Sequence, residues 1–487
     1  HKVIVNLKIK NMDKDNFLLL NNELKSGLSS NLKNCINLNI IEKSKFKKWN
    51  ESCSEDLKNW IKTNSFKPIS GATLFFPDNQ LKLKDVFAVI EKPDSFWEIA
   101  KIKKSLPEGN YKIIFPNLEQ YEYMFGLAWA LENYKFNPFN SKLYKKKLAN
   151  KETKLLIKNS TLKEILPLIN GIYLARDLIN CPANIINPKS LEEVCVKLAL
   201  FHEAKIKITK DKKLKENFPA IFTVGRASEV NPRLIDISLH KNKNFPSITL
   251  VGKGVTFDSG GLDLKPPKAM ELMKKDMGGA AIAIGLAHSI MMANLNLNIR
   301  LLVPAVENAV SQNSMRPLDI LSTRSGIDVE IGNTDAEGRL ILADTLYFAD
   351  EKPTDLLIDF ATLTGAARVA LGTELPALFS NNDKESSRLV AASEAVYDPI
   401  FQMPLYKPYE RFLNQENGSL SSTGSSAYGG AITAALFLQK FVKKDTSWMH
   451  LDIMGWNLSN LPGRPVGGEA MSLRGCFHYI KEFIKTY

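Results

Sequence analysis

Residues 251–265 read Val251-Gly-Lys-Gly-Val-Thr-Phe-Asp-Ser-Gly-Gly-Leu-Asp-Leu-Lys265 and follow a short apolar run at 248–251. An apolar, β-branched run that breaks into glycines reads as a buried strand entering a loop. Working outward, 278–292 carries small and apolar residues with helical spacing, 300–306 is a second strand-like run, 337–349 a helix and 356–360 a further strand. Strands alternating with helices predict a parallel α/β sheet. In such a sheet, function gathers in the loops beyond the carboxyl ends of the strands, where the glycine-rich segment falls.

Toward the amino terminus the pattern is shorter. Apolar runs at 72–76, 86–90 and 113–115 and a helical stretch at 121–134 predict a smaller α/β domain, residues 1–155. Leu162, Ile165, Leu166, Ile169, Ile172 and Tyr173 then recur on one helical face, which predicts a linking helix over 156–178 at the start of a larger domain, 156–487. A chain of 487 residues has room for both.

The net charge is +12, and the excess lies in residues 1–150, with 25 basic against 16 acidic side chains. Such a surface admits DNA or another polyanion as a partner. The lysines are spread among Asn and Leu, however, the tightest run being 145–147, so a solvated surface is preferred. Five widely spaced cysteines without a CxxC exclude a disulfide framework and a cysteine zinc site, and predict a reducing, cytoplasmic setting. Residues 1–6 alternate like a strand, and His1 in place of Met leaves a processed start open. Residues 277–299 carry no Asp, Glu, Lys or Arg, but their glycines and asparagines predict a buried helix and no membrane span.

Common motifs fail when read letter by letter. His202-Glu203 does not complete HExxH, because Ile206 stands where the second histidine belongs, and Gly252-x-Gly254 does not complete a dinucleotide loop. With six histidines and no evident ligand pair, any metal site must use mainly oxygen ligands. Three packets supply them: Lys253, Asp258 and Lys265 in the glycine-rich loop; Asp276 before the packed helix; and Asp335, Glu337 and Arg339 after a strand-like 329–331. Read as extended backbone, the last three would point one way. Four carboxylates at one site would repel and raise one another's pKa unless divalent cations neutralised them, and a lysine beside such cations would have a lowered pKa. Paired metals holding a bridging water serve aminopeptidases, phosphatases and nucleases alike, and spacing does not choose among them.

The octapeptide Asn333-Thr-Asp-Ala-Glu-Gly-Arg-Leu340 resembles, letter for letter, the signature of the leucyl (cytosol) aminopeptidases, the M17 metallopeptidases. Thr362-Leu-Thr-Gly365, Gly430-Ala-Ile-Thr-Ala-Ala435, His450-Leu-Asp-Ile453 and Gly467-Gly-Glu-Ala470 also match, so the resemblance spans about residues 170 to 480. Residues 415–429 align least well.

The resemblance implies a C-terminal catalytic domain with a mixed, mainly parallel sheet flanked by helices. It implies release of N-terminal residues, Leu and Met preferred, from peptides by a metal-bridging water or hydroxide. Lys253, Asp258, Asp276, Asp335 and Glu337 would hold two divalent ions, zinc or manganese with magnesium or cobalt as alternatives, and Asp258 and Glu337 would bridge them. Lys265 would stabilise the oxyanion. Arg339, with the backbone at Leu363, would hold bicarbonate as general base. Met273, Thr362, Gly365 and Met454 would line the pocket for the first side chain, and Asn333 would belong to the substrate and bicarbonate region. The family also implies a homohexamer, a dimer of trimers, and some bacterial members bind DNA.

Overall fold

The computed structural model describes residues 26–136 and 152–487. The strand-like alternation at 1–6 and the lysine run at 145–147 lie outside the described residues. The chain forms two α/β units, each on its own sheet.

The amino-terminal sheet has six strands, in the order Leu28–Ser29, Thr153–Leu156, Gly109–Ile114, Ile36–Glu42, Leu83–Ile90 and Thr73–Pro77. All neighbours pair in parallel except the last two strands, which are antiparallel. The expected helix at 121–134 is Leu118–Asn133, and its Leu127–Leu131 stretch is fully buried.

The larger unit is built on a nine-stranded mixed sheet. Its centre is parallel: Trp448–Asp452, Leu356–Ala361, Ser247–Gly252 and Asn298–Asn308 lie side by side, and Gly254–Asp258 also pairs in parallel with Asn298–Asn308. Antiparallel strands, Arg233–Leu239 and Lys205–Lys210 on one side and Ala377–Ser380 on the other, flank this centre. Near-continuous burial of the central strands, as in Leu356–Ala361, is what a sheet covered on both faces requires. Helices Asn159–Asn180, Gly278–Met292 and Leu473–Phe483 cover one face. Glu337–Asp350 and Gly430–Gln439 cover the other.

The uncharged stretch after Met277 is the helix Gly278–Met292, buried along all but its last residue. Among the described residues no helix is long and apolar enough to cross a membrane. The small residues have a packing reason: a Cβ on Gly279 would stand 2.1 Å from the Phe360 carbonyl oxygen, and one on Gly171 would stand 2.1 Å from Ser289 Oγ. The helix therefore sits directly on the strand Leu356–Ala361, and Ala280 N–H donates to the Lys253 carbonyl at 2.9 Å. This close approach fixes the loops at both ends of the contact.

The long helix Asn159–Asn180 joins the two units through buried polar contacts. Arg176 pairs with Glu469 at 3.0 Å and donates to the carbonyls of Leu131 and Gly463. Tyr134 OH donates to Asp177 at 2.7 Å, and burial raises the Asp177 carboxyl to about 7.

Two outcomes follow. Gly279→Ala should cost about 3 kcal/mol or more in denaturant unfolding, since the backbone it meets cannot give way; a loss under about 1 kcal/mol would contradict the packing. A folded pKa raised above the unfolded one favours the neutral acid, so the stability Asp177 contributes is full below the unfolded carboxylate range and is lost as pH rises through about 7. Asp177→Asn should therefore flatten the decline of stability between pH 5 and pH 8 by about 1 kcal/mol or more, and an unchanged slope would contradict this.

Candidate metal centre

All five parallel strands end at one edge, and the residues at those ends converge. Lys253 follows Ser247–Gly252, Asp258 closes Gly254–Asp258, Asn308 closes Asn298–Asn308, Thr362 follows Leu356–Ala361 and Asp452 closes Trp448–Asp452. Asp276 arrives from the short 3-10 helix Met273–Met277 that leads into Gly278–Met292.

The octapeptide is not extended. Asn333 Oδ1 accepts from Asp335 N–H at 2.7 Å and caps a 3-10 turn, Thr334–Ala336, after which Glu337 opens the helix Glu337–Asp350. Asp335, Glu337 and Arg339 thus do not share one face of a strand, as alternate spacing suggested. The strand Asp328–Glu330 belongs to a separate three-stranded sheet. On the first helical turn Glu337 and Arg339 diverge, which sends Glu337 to Lys253 and Arg339 to the carbonyl of Ser422, 2.6 Å away.

The carboxylates form two linked groups. Lys253 Nζ lies 2.8 Å from Asp276 and 3.0 Å from Glu337, and it donates to the Thr362 carbonyl at 2.9 Å. Lys265 Nζ lies 2.9 Å from Asp258 and also pairs with Asp335. Oxygens of Asp258, Asp335 and Glu337 lie within 4.8 Å of one another. Asp258, Asp276 and Glu337 are buried, while the Asp335 side chain is 34% exposed.

Four carboxylates against two lysines leave an excess of negative charge in a dry site, and the groups respond. Burial and then Asp258 raise Glu337 well above the carboxylate range and Asp335 to about 6. Burial works to lower Lys253 and Lys265, but the surrounding carboxylates outweigh it and raise both. With protons and ammonium groups as the available counter-charges, that is the direction Coulomb's law requires. Glu337 Oε2 is buried with no hydrogen-bond partner. An orphaned carboxylate oxygen facing two more carboxylates fits a cation site, and an all-oxygen set with lysine suits hard or borderline divalent ions.

The remaining expected residues take definite places. Thr362 Oγ1 donates to Asp276 Oδ1 at 2.7 Å and so orients it. Leu363 N–H is engaged by Asp452 at 3.0 Å, as are the N–H and hydroxyl of Thr364. Arg339 is buried, its Nε has no partner, and burial lowers it to about 10. Met273 and Met454 are half-buried, Gly365 and Asn333 exposed.

Sequence reasoning missed Asn308, whose Nδ2 donates to Asp258 at 2.8 Å and to the Thr334 carbonyl at 3.1 Å. It also gave Asp452 no role. A strand-terminal polar residue was the available signal for both.

Fold and site together define a class: a two-domain α/β protein with a carboxylate and lysine cluster, suited to divalent cations, at the carboxyl edge of its larger sheet. The catalytic-domain model of the cytosol aminopeptidase family matches residues 173–475, and the model of the M17 aminopeptidase N-terminal domain matches 36–157. The chain belongs to the cytosol aminopeptidase family, M17, a family of metallo-aminopeptidases. A probable cytosol aminopeptidase of Chlamydia abortus is 41% identical over 326 residues, 65% of each chain, so that match spans just under two thirds of the relative's length. One of Prochlorococcus marinus (strain AS9601) is 34% identical over 86% of this chain and 90% of its own. Among solved structures, the cytosol aminopeptidase from Coxiella burnetii is 41% identical with a TM-score of 0.89, covering 94% of this chain and 99% of that one. The bottromycin maturation enzyme BotP in complex with Mn is 26% identical with a TM-score of 0.81, covering 92% and 99%.

A cation held by Asp335 would have to displace the proton that this group holds below about pH 6, whereas above it the ionised group repels Asp258. Metal-induced stabilisation should therefore grow with pH. Thermal unfolding with and without Mn2+ should show an apparent affinity about tenfold or more tighter at pH 7.5 than at pH 5.5, and equal affinities would contradict the clustering.

Proposed function

We propose that this protein is a two-metal aminopeptidase that releases N-terminal amino acids, Leu and Met among the preferred ones, from peptides. The observation that carries the reading is the meeting of Asp258, Asp335 and Glu337 within 4.8 Å, with Glu337 Oε2 buried and unpartnered. Lys253, Asp258, Asp276, Asp335 and Glu337 would hold the ions. When bound, two divalent cations supply an activated water and a Lewis acid for the scissile carbonyl. Zinc and manganese are the favoured occupants, with magnesium and cobalt as alternatives; the manganese in the BotP complex supports this.

The chain's own residues do the rest. Lys265, 13% exposed at its side chain and paired with Asp258, would stabilise the developing oxyanion. Arg339, with one buried nitrogen unpartnered, would hold bicarbonate, which serves as general base. Its other contact, to Ser422, fixes the guanidinium against the 415–429 loop. Thr362 holds Asp276, and Asp452 holds the turn at Leu363 and Thr364, so the floor of the substrate pocket is tied to the ligand set. Met273, Thr362, Gly365 and Met454 would line that pocket. We assign residues 1–155 to the amino-terminal domain and 156–487 to the catalytic one, and place the enzyme in the cytoplasm as a homohexamer.

Leucine release from a Leu-anilide should vanish on chelation and return with Mn2+ or Zn2+. Activity indifferent to chelation would contradict the reading. Lys265→Met and Arg339→Met should each lower kcat about 100-fold or more with metal content unchanged, and a loss under about threefold would remove that residue from its role.

A further inference from the structure

Two cations beside the metal centre have no part in the scheme above. Lys275 is 2% exposed, and no hydrogen bond or ion pair engages its ammonium among the described residues. Arg368 likewise pairs with no carboxylate there, and its Nη1 is buried without a partner. Burial and then the positive charge of Arg368 lower the Lys275 ammonium to about 7, so Arg368 lies near enough to act on it. Neither nearby acid is free to neutralise them. Asp276 is committed to Lys253 and Thr362, and Asp452 to Leu363 and Thr364.

Their placement points to the substrate. Lys275 sits between Met273 and Asp276 on one pocket segment. Arg368 lies three residues after Gly365 on the helix Gly365–Leu371, one turn along the same face. The space over that face is open: a Cβ on Gly365 would meet nothing within 4 Å. Desolvated cations without a counter-ion are costly, and an ammonium beside a guanidinium fork suits a carboxylate.

We propose that Lys275 and Arg368 form a carboxylate-binding subsite of the substrate pocket, so that the enzyme accepts peptides that begin with an acidic residue as well as apolar ones. The subsite rests on the aminopeptidase reading and extends it to a second substrate class. The carboxylate belongs to the side chain of the first residue, because its α-amine and scissile carbonyl are held at the adjoining cluster.

The test compares the metal-loaded protein on α-linked Glu-anilide and Gln-anilide, which differ in the side-chain charge at nearly equal volume. The kcat/KM ratio of Glu over Gln should be about ten or more, and Lys275→Met and Arg368→Met should each lower it at least about threefold, toward unity when combined. Should Lys275→Met fail to fold, Arg368→Gln, at a half-buried position, carries the test alone. A wild-type ratio at or below one, or a ratio that neither change moves, overturns the subsite. A preference seen only between Leu-Glu and Leu-Gln peptides also overturns it, since the second residue would then be the one read. Leu-anilide release by the wild type keeps the two claims apart: its absence fails the aminopeptidase reading, and its presence without a Glu preference fails only the subsite.

Discussion

Excess negative charge, held in a buried place by the ends of parallel strands, is the constraint on which the rest of this structure turns. Four carboxylates meet two lysines at one sheet edge, and Glu337 is left with an oxygen that nothing satisfies. A fold keeps such an arrangement only if the surrounding structure over-determines it. Here it does: Gly279 lets the helix Gly278–Met292 rest on strand backbone, which sets Asp276, while Asn308 and the Asn333 cap fix Asp258 and the octapeptide turn.

The supports extend outward in layers. Asp452 ties the Leu363 and Thr364 turn to the sheet, and beneath it His450 pairs with Asp359 at 2.5 Å, with Trp448 donating to the same carboxylate at 2.7 Å. Burial works to lower His450, but Asp359 outweighs it and raises the imidazole above its usual range. From the other side, Lys274 donates to the Asn180 carbonyl at 2.8 Å, which joins the Asp276 segment to the long helix and through Tyr134 to the amino-terminal domain. The smaller domain is thereby mechanically continuous with the site.

Much of this was legible in the sequence, for identifiable reasons. The central strands and the helices Gly278–Met292 and Glu337–Asp350 are long and strongly patterned, and glycines mark the loop that carries Lys253, Asp258 and Lys265. The local geometry at 333–339 was not legible, because alternate spacing fits a strand and a capped helical turn equally until the Asn333 side chain closes the cap. Long-range pairs were beyond reach as well. Nothing local relates Asn308 to Asp258, Asp452 to Leu363, or His202 to His288, whose rings meet at 2.7 Å. Those contacts are set by the order of strands in the sheet and by how the helices pack on it, which a single sequence does not display.

The central claim is that this cluster exists to hold two cations. Crystals grown with Mn2+ and measured at the manganese absorption edge test it most directly. The account predicts two anomalous peaks per chain, about 3.5 to 4 Å apart, among Asp258, Asp276, Asp335 and Glu337, with Lys253 no longer paired to Glu337. No peak there, with the Lys253 ion pairs intact in metal-saturated crystals, would contradict it.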